Sequence, residues 1–390
     1  MNDDRPQLEL FTSAVDDGLS SVAVAFEPAR LTQARVLAEL TKSELAEQVG
    51  VSAAAIGQFE AGITKPRPEH LPILSKTLGV PVRYFAAGRP IGRLDAADAH
   101  FRSLRSTRSK DRSKAAAHAE QVWELTHALE KQVRFPDVNL PVLPSGASPT
   151  EAADVLRKWW AVSAGPVPHL AGTMEANGIV VCLISMTDDA LGRVKAYSTD
   201  ALGRPIVVLT PEHFRSVQEY RFTCAHELGH LLMHPTALPG DRQQEREADQ
   251  FAAEFLTPQA QIAPLLPKTV RISTLDGLSR EWGVSIESLI YRMGELHLVT
   301  EAAIRRAHQR LAGMTGLRNE EPLVSFPGEV PTLLRDALKM AEKIGYSRAD
   351  LADELRWTEH HLAKLLGEID TRPRLSLVSR SELSPGQAST

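Results

Sequence analysis

The sequence predicts a mainly α-helical chain with one α+β part: an N-terminal all-α helix-turn-helix unit, a central α+β unit and a C-terminal helical region. Three observations carry this. Between Pro28 and Gly88, short runs with helical spacing are punctuated by Gly50, Gly62 and Gly79, which marks a bundle of short helices. Between Gly178 and Leu209, three apolar runs of strand length (Gly178–Ile184, Val194–Ser198, Ile206–Leu209) are followed by long helical patterns. Beyond Thr274 the apolar residues recur only at helical spacing.

In the first unit, Pro28 to Leu40 places Leu31, Ala34, Leu37 and Ala38 on one helix face. Thr41-Lys42-Ser43-Glu44 is a capping box that starts a helix ending at Val49, where Gly50 supplies a left-handed stop. Ser52 caps the next helix, Ala53–Glu60, and the two helices form a helix-turn-helix. A further helix, Glu69 to Leu78, ends at Gly79-Val80-Pro81. On the second helix of the pair, Ser52, Ala53, Ala54 and Gln58 are the expected groove-facing set, and Gln58 alone suits a base edge. Gln33, Arg35, Lys42, Lys65 and Arg67 are expected phosphate contacts. The same helix pair could instead serve dimerisation or protein binding.

Residues 91–149 read as a basic helix and a Pro-rich linker. Arg102, Arg105, Arg108, Lys110, Arg112 and Lys114 face only Asp111, which gives either a basic strip near DNA or a solvated helix start. Ala115 to Val133 is one amphipathic helix suited to packing or dimer contact. Pro136, Pro141, Pro144 and Pro149 then mark the linker. The central unit spans 150–311, a C-terminal helical region 325–370, and a Ser-rich tail expected to be disordered 371–390.

The densest chemistry is Cys224-Ala225-His226-Glu227-Leu228-Gly229-His230, an H-E-x-x-H pattern in an apolar, helix-forming run. Residues four apart share a helix face, so His226 and His230 can aim imidazole nitrogens at one metal ion. Glu227 stands beside them as the expected general base of a zinc hydrolase. A third ligand is needed. His234 lies about 12 Å of helix rise beyond His226, too far to share the ion, and is expected behind the ligands or at the cleft wall. The helix from Asp241 offers Glu245 or Glu247, with Glu245 preferred because it lies at one end of a small-residue face with Ala248 and Ala252. Asp249 is expected to accept from a ligand imidazole. Tyr197, Tyr220 and His234 are candidate donors to a developing oxyanion. The strand Val194–Ser198 is expected at a sheet edge, where an extended substrate could add by β-augmentation.

Composition excludes some classes. The chain has 390 residues, 43% hydrophobic and 24% charged, enough for two or three domains with sizeable cores. A net charge of -5 gives no global nucleic-acid signature. No secretory signal and no membrane-length apolar run is seen, and two cysteines, Cys182 and Cys224, sit in apolar runs; a cytoplasmic protein with no membrane partner is expected.

Two resemblances follow from these residues. Glu44-Leu45-Ala46-Glu47-Gln48-Val49-Gly50-Val51-Ser52, Ile56-Gly57-Gln58-Phe59-Glu60-Ala61-Gly62 and Lys65-Pro66-Arg67-Pro68 resemble the XRE (Cro/CI-type) DNA-binding domain. That resemblance implies a five-helix domain, double-stranded DNA as partner, and a possible homodimer on a two-fold operator. Arg221-Phe222-Thr223 leading into His226, with Glu245-Arg246-Glu247-Ala248-Asp249-Gln250-Phe251-Ala252-Ala253-Glu254-Phe255-Leu256-Thr257-Pro258, resembles the ImmA/IrrE metallo-endopeptidases. It implies a zincin-like domain with Zn2+ on His226, His230 and a Glu of the second helix, catalysis by Glu227, and cleavage of a regulatory protein, typically an XRE-type repressor. The alternative is a repressor or antitoxin whose metal domain senses a ligand or binds a partner, such as a toxin, without hydrolysis.

Overall fold

The computed structural model describes residues 18–94, 100–102, 109–162, 164–184, 194–234, 241–314 and 329–366, with only the backbone of 100–102. The tail from 371, and Arg105 and Arg108 of the basic strip, lie outside the described residues.

Helices α1 (Pro28–Leu37), α2 (Lys42–Val49), α3 (Ala53–Glu60) and α4 (His70–Leu78) form the first unit. The capping box is present: Thr41 Oγ1 accepts from Glu44 N at 3.2 Å, and Glu44 Oε2 accepts from Thr41 N at 2.7 Å. Gly50 closes α2 at φ +77°, where a Cβ would be strained. Ser52 Oγ accepts from Ala55 N at 3.1 Å and starts α3. After Pro81 the chain makes a 3-10 turn, Val82–Phe85. That turn inserts Tyr84 and Phe85 beneath Leu31, Leu45, Ile56, Leu71 and Leu74, all fully buried.

The long helix α5 (Ser109–Glu130) packs on the first unit, as its amphipathic pattern suggests. Ala115, Ala119, Val122, Leu125 and Leu129 are buried in the same core as α1. Polar contacts join the two as well: the buried Glu124 pairs with Arg30, Gln33 Nε2 donates to Glu120 at 2.9 Å and to Glu124 at 3.2 Å, and Tyr84 donates to Gln33. The expected basic strip is partly neutralised, because Lys114 and Lys110 both pair with Glu39.

The central unit begins with α6 (Pro149–Trp159) and α7 (Leu170–Ala176). Its four-stranded sheet has the order β1-β3-β4-β2, from β1 (His100–Arg102), β2 (Val180–Leu183), β3 (Ala196–Thr199) and β4 (Ile206–Leu209). β2 runs parallel to β4, and β3 is antiparallel to both β4 and β1. The strand expected at a free edge, 194–198, is instead flanked: β1 covers the outer side of β3. Strands β2, β3 and β4 are buried on both faces. Val180, Cys182, Tyr197, Ile206 and Val208 join the α5 core, whereas Val181, Leu183, Ala196, Val207 and Leu209 join the core of the helices that follow.

Those helices are α8 (Val217–Met233), α9 (Arg242–Leu256), α10 (Gln259–Ile262), α11 (Ile272–Trp282), α12 (Ile286–Glu295) and α13 (Glu301–Ala312). The last three, α14 (Leu333–Glu342), α15 (Arg348–Leu355) and α16 (Glu359–Leu365), turn back and bury Leu334, Leu338, Leu351, Leu355, Trp357 and Leu362 against α5 and the sheet. Glu329, just before α14, pairs with Arg221 of α8 and accepts from the α7 amides of Leu170 and Ala171 at 3.1 and 3.2 Å.

Candidate metal centre and nucleic-acid face

α8 starts where Ser216 Oγ accepts from Glu219 N at 3.3 Å, and lies against the sheet face carrying Ala196 and Ser198. Its small residues set its distance from α9. A Cβ on Gly229 would stand 2.8 Å from Cδ1 of the buried Phe251, so only glycine permits this approach. Ala248 and Ala252 are fully buried on the same side of α9. The close approach brings Glu245 to the histidines. His226 Nε2 and His230 Nε2 are 3.1 Å apart; Glu245 Oε2 is 3.6 Å from the first and Oε1 3.5 Å from the second.

These separations suit one ion. Ligands about 2.0–2.1 Å from a tetrahedral centre stand about 3.3–3.4 Å from each other. Two imidazoles and a carboxylate are also the donor set of a catalytic zinc site with an open fourth position. An ordinary carboxyl is ionised well below neutral pH, so Glu245 is an anion ready to ligate.

The groups behind the histidines fix their tautomers. Asp249 Oδ1 is 2.8 Å from His226 Nδ1, which places the ring proton there and leaves Nε2 as a lone pair. His230 is held through a relay. Its Nδ1 is 3.0 Å from His234 Nδ1, and His234 Nε2 is 3.0 Å from Glu247 Oε2. If Glu247 accepts from His234, then His234 Nδ1 must accept from His230, and His230 Nε2 is again the lone pair. Hydrogen bonds from Gln243 and from His234 hold the Glu247 carboxyl below its usual range. Glu245 thus reaches the imidazole pair, and Glu247 backs it through His234.

The structure does not bring the expected oxyanion donors to this centre. Both His234 nitrogens face His230 and Glu247. Tyr197 points to the opposite sheet face, beside Cys182, because neighbouring strand residues alternate. Tyr220 is fully buried in the core, edge-on to Phe214. Cys224 is also a core residue, its thiol pushed up by burial.

A residue that sequence reasoning missed is Ser198. It is fully buried, and its Oγ lies 2.7 Å from Glu227 Oε2. A serine in a strand carries no signal of this; only the sheet packing on α8 creates the contact.

In the helix-turn-helix, Ser52, Ala53, Ala54 and Gln58 are exposed. The expected phosphate contacts divide. Gln33 is buried at 3% exposure, and Arg35 is held by Glu60 and by the Leu40 carbonyl at 2.8 Å. These two are corrected to structural residues: an unpaired polar group in that interior would be costly, so each has been given a partner. Lys42 is half-exposed and 3.2 Å from Glu60. Lys65 is exposed and donates to the Val24 carbonyl. Arg67 is 78% exposed.

Comparison with known families decides what these two sites belong to. Residues 31–85 match the helix-turn-helix family, and residues 174–293 match the IrrE N-terminal-like domain, a peptidase family. The chain joins an XRE-type helix-turn-helix domain to an ImmA/IrrE-type domain. Comparison with curated proteins and with solved structures gave no match. The ImmA/IrrE-type match takes in α8, α9 and the sheet strands β2 to β4, and the peptidase family implies a metal, generally zinc. No helix among the described residues is long and apolar enough to cross a membrane.

Proposed function

We propose that the chain is a cytoplasmic DNA-binding regulator whose ImmA/IrrE-type domain holds zinc on His226, His230 and Glu245 and cleaves a regulatory protein of the XRE-repressor class. The observation that carries the reading is the triangle of two lone-pair nitrogens and an anionic carboxylate, with Glu227 next to it in sequence and fully buried. Zinc bound there would supply Lewis acidity toward a peptide carbonyl and acidify water.

The remaining roles fall to the chain's own groups. Glu227 takes the proton of the attacking water and returns it to the leaving amine. Ser198 donates to Glu227 Oε2 and fixes the rotamer that aims the carboxylate. Asp249 and the His234–Glu247 relay hold the imidazoles. In the regulator half, α3 enters the major groove with Gln58 toward the bases, and Arg67, Lys65 and Lys42 meet phosphates, as a homodimer on a two-fold site.

The test uses purified full-length protein and the Glu227→Gln variant, each assayed for zinc content and for fragments of an XRE-type repressor. Expected are one zinc per chain in both, and fragments only with Glu227. Fragments in neither, with zinc still bound, would favour a non-proteolytic repressor or antitoxin; fragments in both would remove Glu227 from the chemistry.

A further inference from the structure

A sheet edge exposes a row of N–H and C=O groups that bind any extended chain laid beside it. In the central sheet the outer edge of β3 is the one that matters for chemistry. β3 carries Ser198, whose hydroxyl bonds Glu227. Yet that edge is filled. β1 pairs with it antiparallel, with His100 opposite Ser198, Phe101 opposite Tyr197 and Arg102 opposite Ala196. β1 is also a neighbour of α8. It comes from the segment between the helix-turn-helix and α5, far outside residues 174–293 that match the peptidase family.

β1 therefore lies where an extended polypeptide would lie to reach Glu227, in the antiparallel sense that a substrate strand could take. It is only three residues long. Its backbone pairing is too short to be strong alone, and it holds its place chiefly because it is tethered.

We propose that the outer edge of β3 is a docking site for an extended polypeptide, and that the chain's own His100–Arg102 occupies it, so that a polypeptide must displace β1 to come beside Glu227. This rests on the peptidase reading for what happens after docking; docking itself does not need catalysis. A tethered strand competes at an effective concentration on the order of mM. Removing its pairing should tighten the binding of a free peptide by at least about tenfold.

The experiment is done in full-length Glu227→Gln protein, so that no probe is cut. The probe is a fluorescein-labelled peptide copying residues 98–104, followed by anisotropy. It is compared with the same protein carrying His100→Pro, Phe101→Pro and Arg102→Pro together, which removes every amide donor of β1 at constant chain length. At least tenfold tighter binding to the proline variant supports the proposal; equal affinity overturns it. Should the proline variant fail to fold, amide exchange in the unaltered chain decides: slow exchange of the β3 amides directed at β1 supports the pairing, and exchange at the rate of an open edge overturns it. Cleavage enters neither readout, so failure of the peptidase reading and failure of this one remain distinct.

Discussion

Two helices carry the polar chemistry of this chain, and they carry it in opposite ways. α3 buries Ile56 and Phe59 and leaves Ser52, Ala53, Ala54 and Gln58 outside. α8 does the reverse: His226, Glu227 and His230 are at most 1% exposed, and Asp249, Ser198 and Glu245 are brought to them in turn by other elements. A surface reader needs polar groups that water solvates until DNA replaces it. A buried metal centre needs polar groups that the protein itself satisfies, because an unpaired one costs about 1–3 kcal/mol. Polar residues in the interior are thus not specific to the peptidase half. Arg30, Gln33 and Glu124 are nearly as buried as the histidines, and they close an ion network between α1 and α5.

The largest effect that tests this contrast is Glu124→Ala. It strips the carboxylate from Arg30 and from Arg89, whose Nη1 lies 3.7 Å from it. Removing one partner of a buried ion pair costs about 3–5 kcal/mol. Urea unfolding should report that loss while zinc content stays the same. Loss of zinc along with stability would mean the two halves are one cooperative unit and the contrast fails.

Next is Ser198→Ala. A hydrogen bond to a charged group is worth about 1.5–3 kcal/mol. If the bond serves to aim Glu227, kcat should fall about 10- to 150-fold with KM unchanged, and Ser198→Thr should restore much of it. A purely structural serine would instead lower the melting temperature and leave kcat intact.

What the sequence made legible is local. The caps at Thr41 and Ser52 and the contact of Asp249 with a ligand imidazole follow from spacing along one helix or between two successive ones. What it hid needs contacts across the chain. Ser198 meets Glu227 only through sheet packing, and β1 reaches β3 from nearly a hundred residues upstream. Charge was the least readable quantity. Arg35 and Lys42 look alike in one dimension, but Arg35 is locked onto Glu60 while the half-exposed Lys42 only shares that carboxylate, and Lys110 and Lys114 share the single charge of Glu39.

Gly229→Ala probes how closely α8 must approach α9. Alanine gains about 1 kcal/mol in helix propensity, but its methyl would press on Phe251, and overpacking costs about 1–3 kcal/mol. Global stability should therefore change little. Zinc affinity is the sensitive readout, because Glu245 rides on α9, and competition with a chelator should show a fall of about tenfold. Unchanged affinity would mean that the carboxylate adjusts independently of helix spacing.

The smallest effect separates true surface cations from satisfied ones. Arg67 is 78% exposed and 3.7 Å from Glu69, itself 63% exposed, a pair worth little in water. Arg67→Ala should leave folding unchanged and reduce the salt dependence of DNA binding by about one counterion. Arg35→Ala should do the opposite: it frees Glu60 and the Leu40 carbonyl, lowers stability, and leaves the salt slope alone. If both variants changed the slope equally, Arg35 would have to leave Glu60 when DNA binds, and the ion pair would be a latch rather than part of the fold.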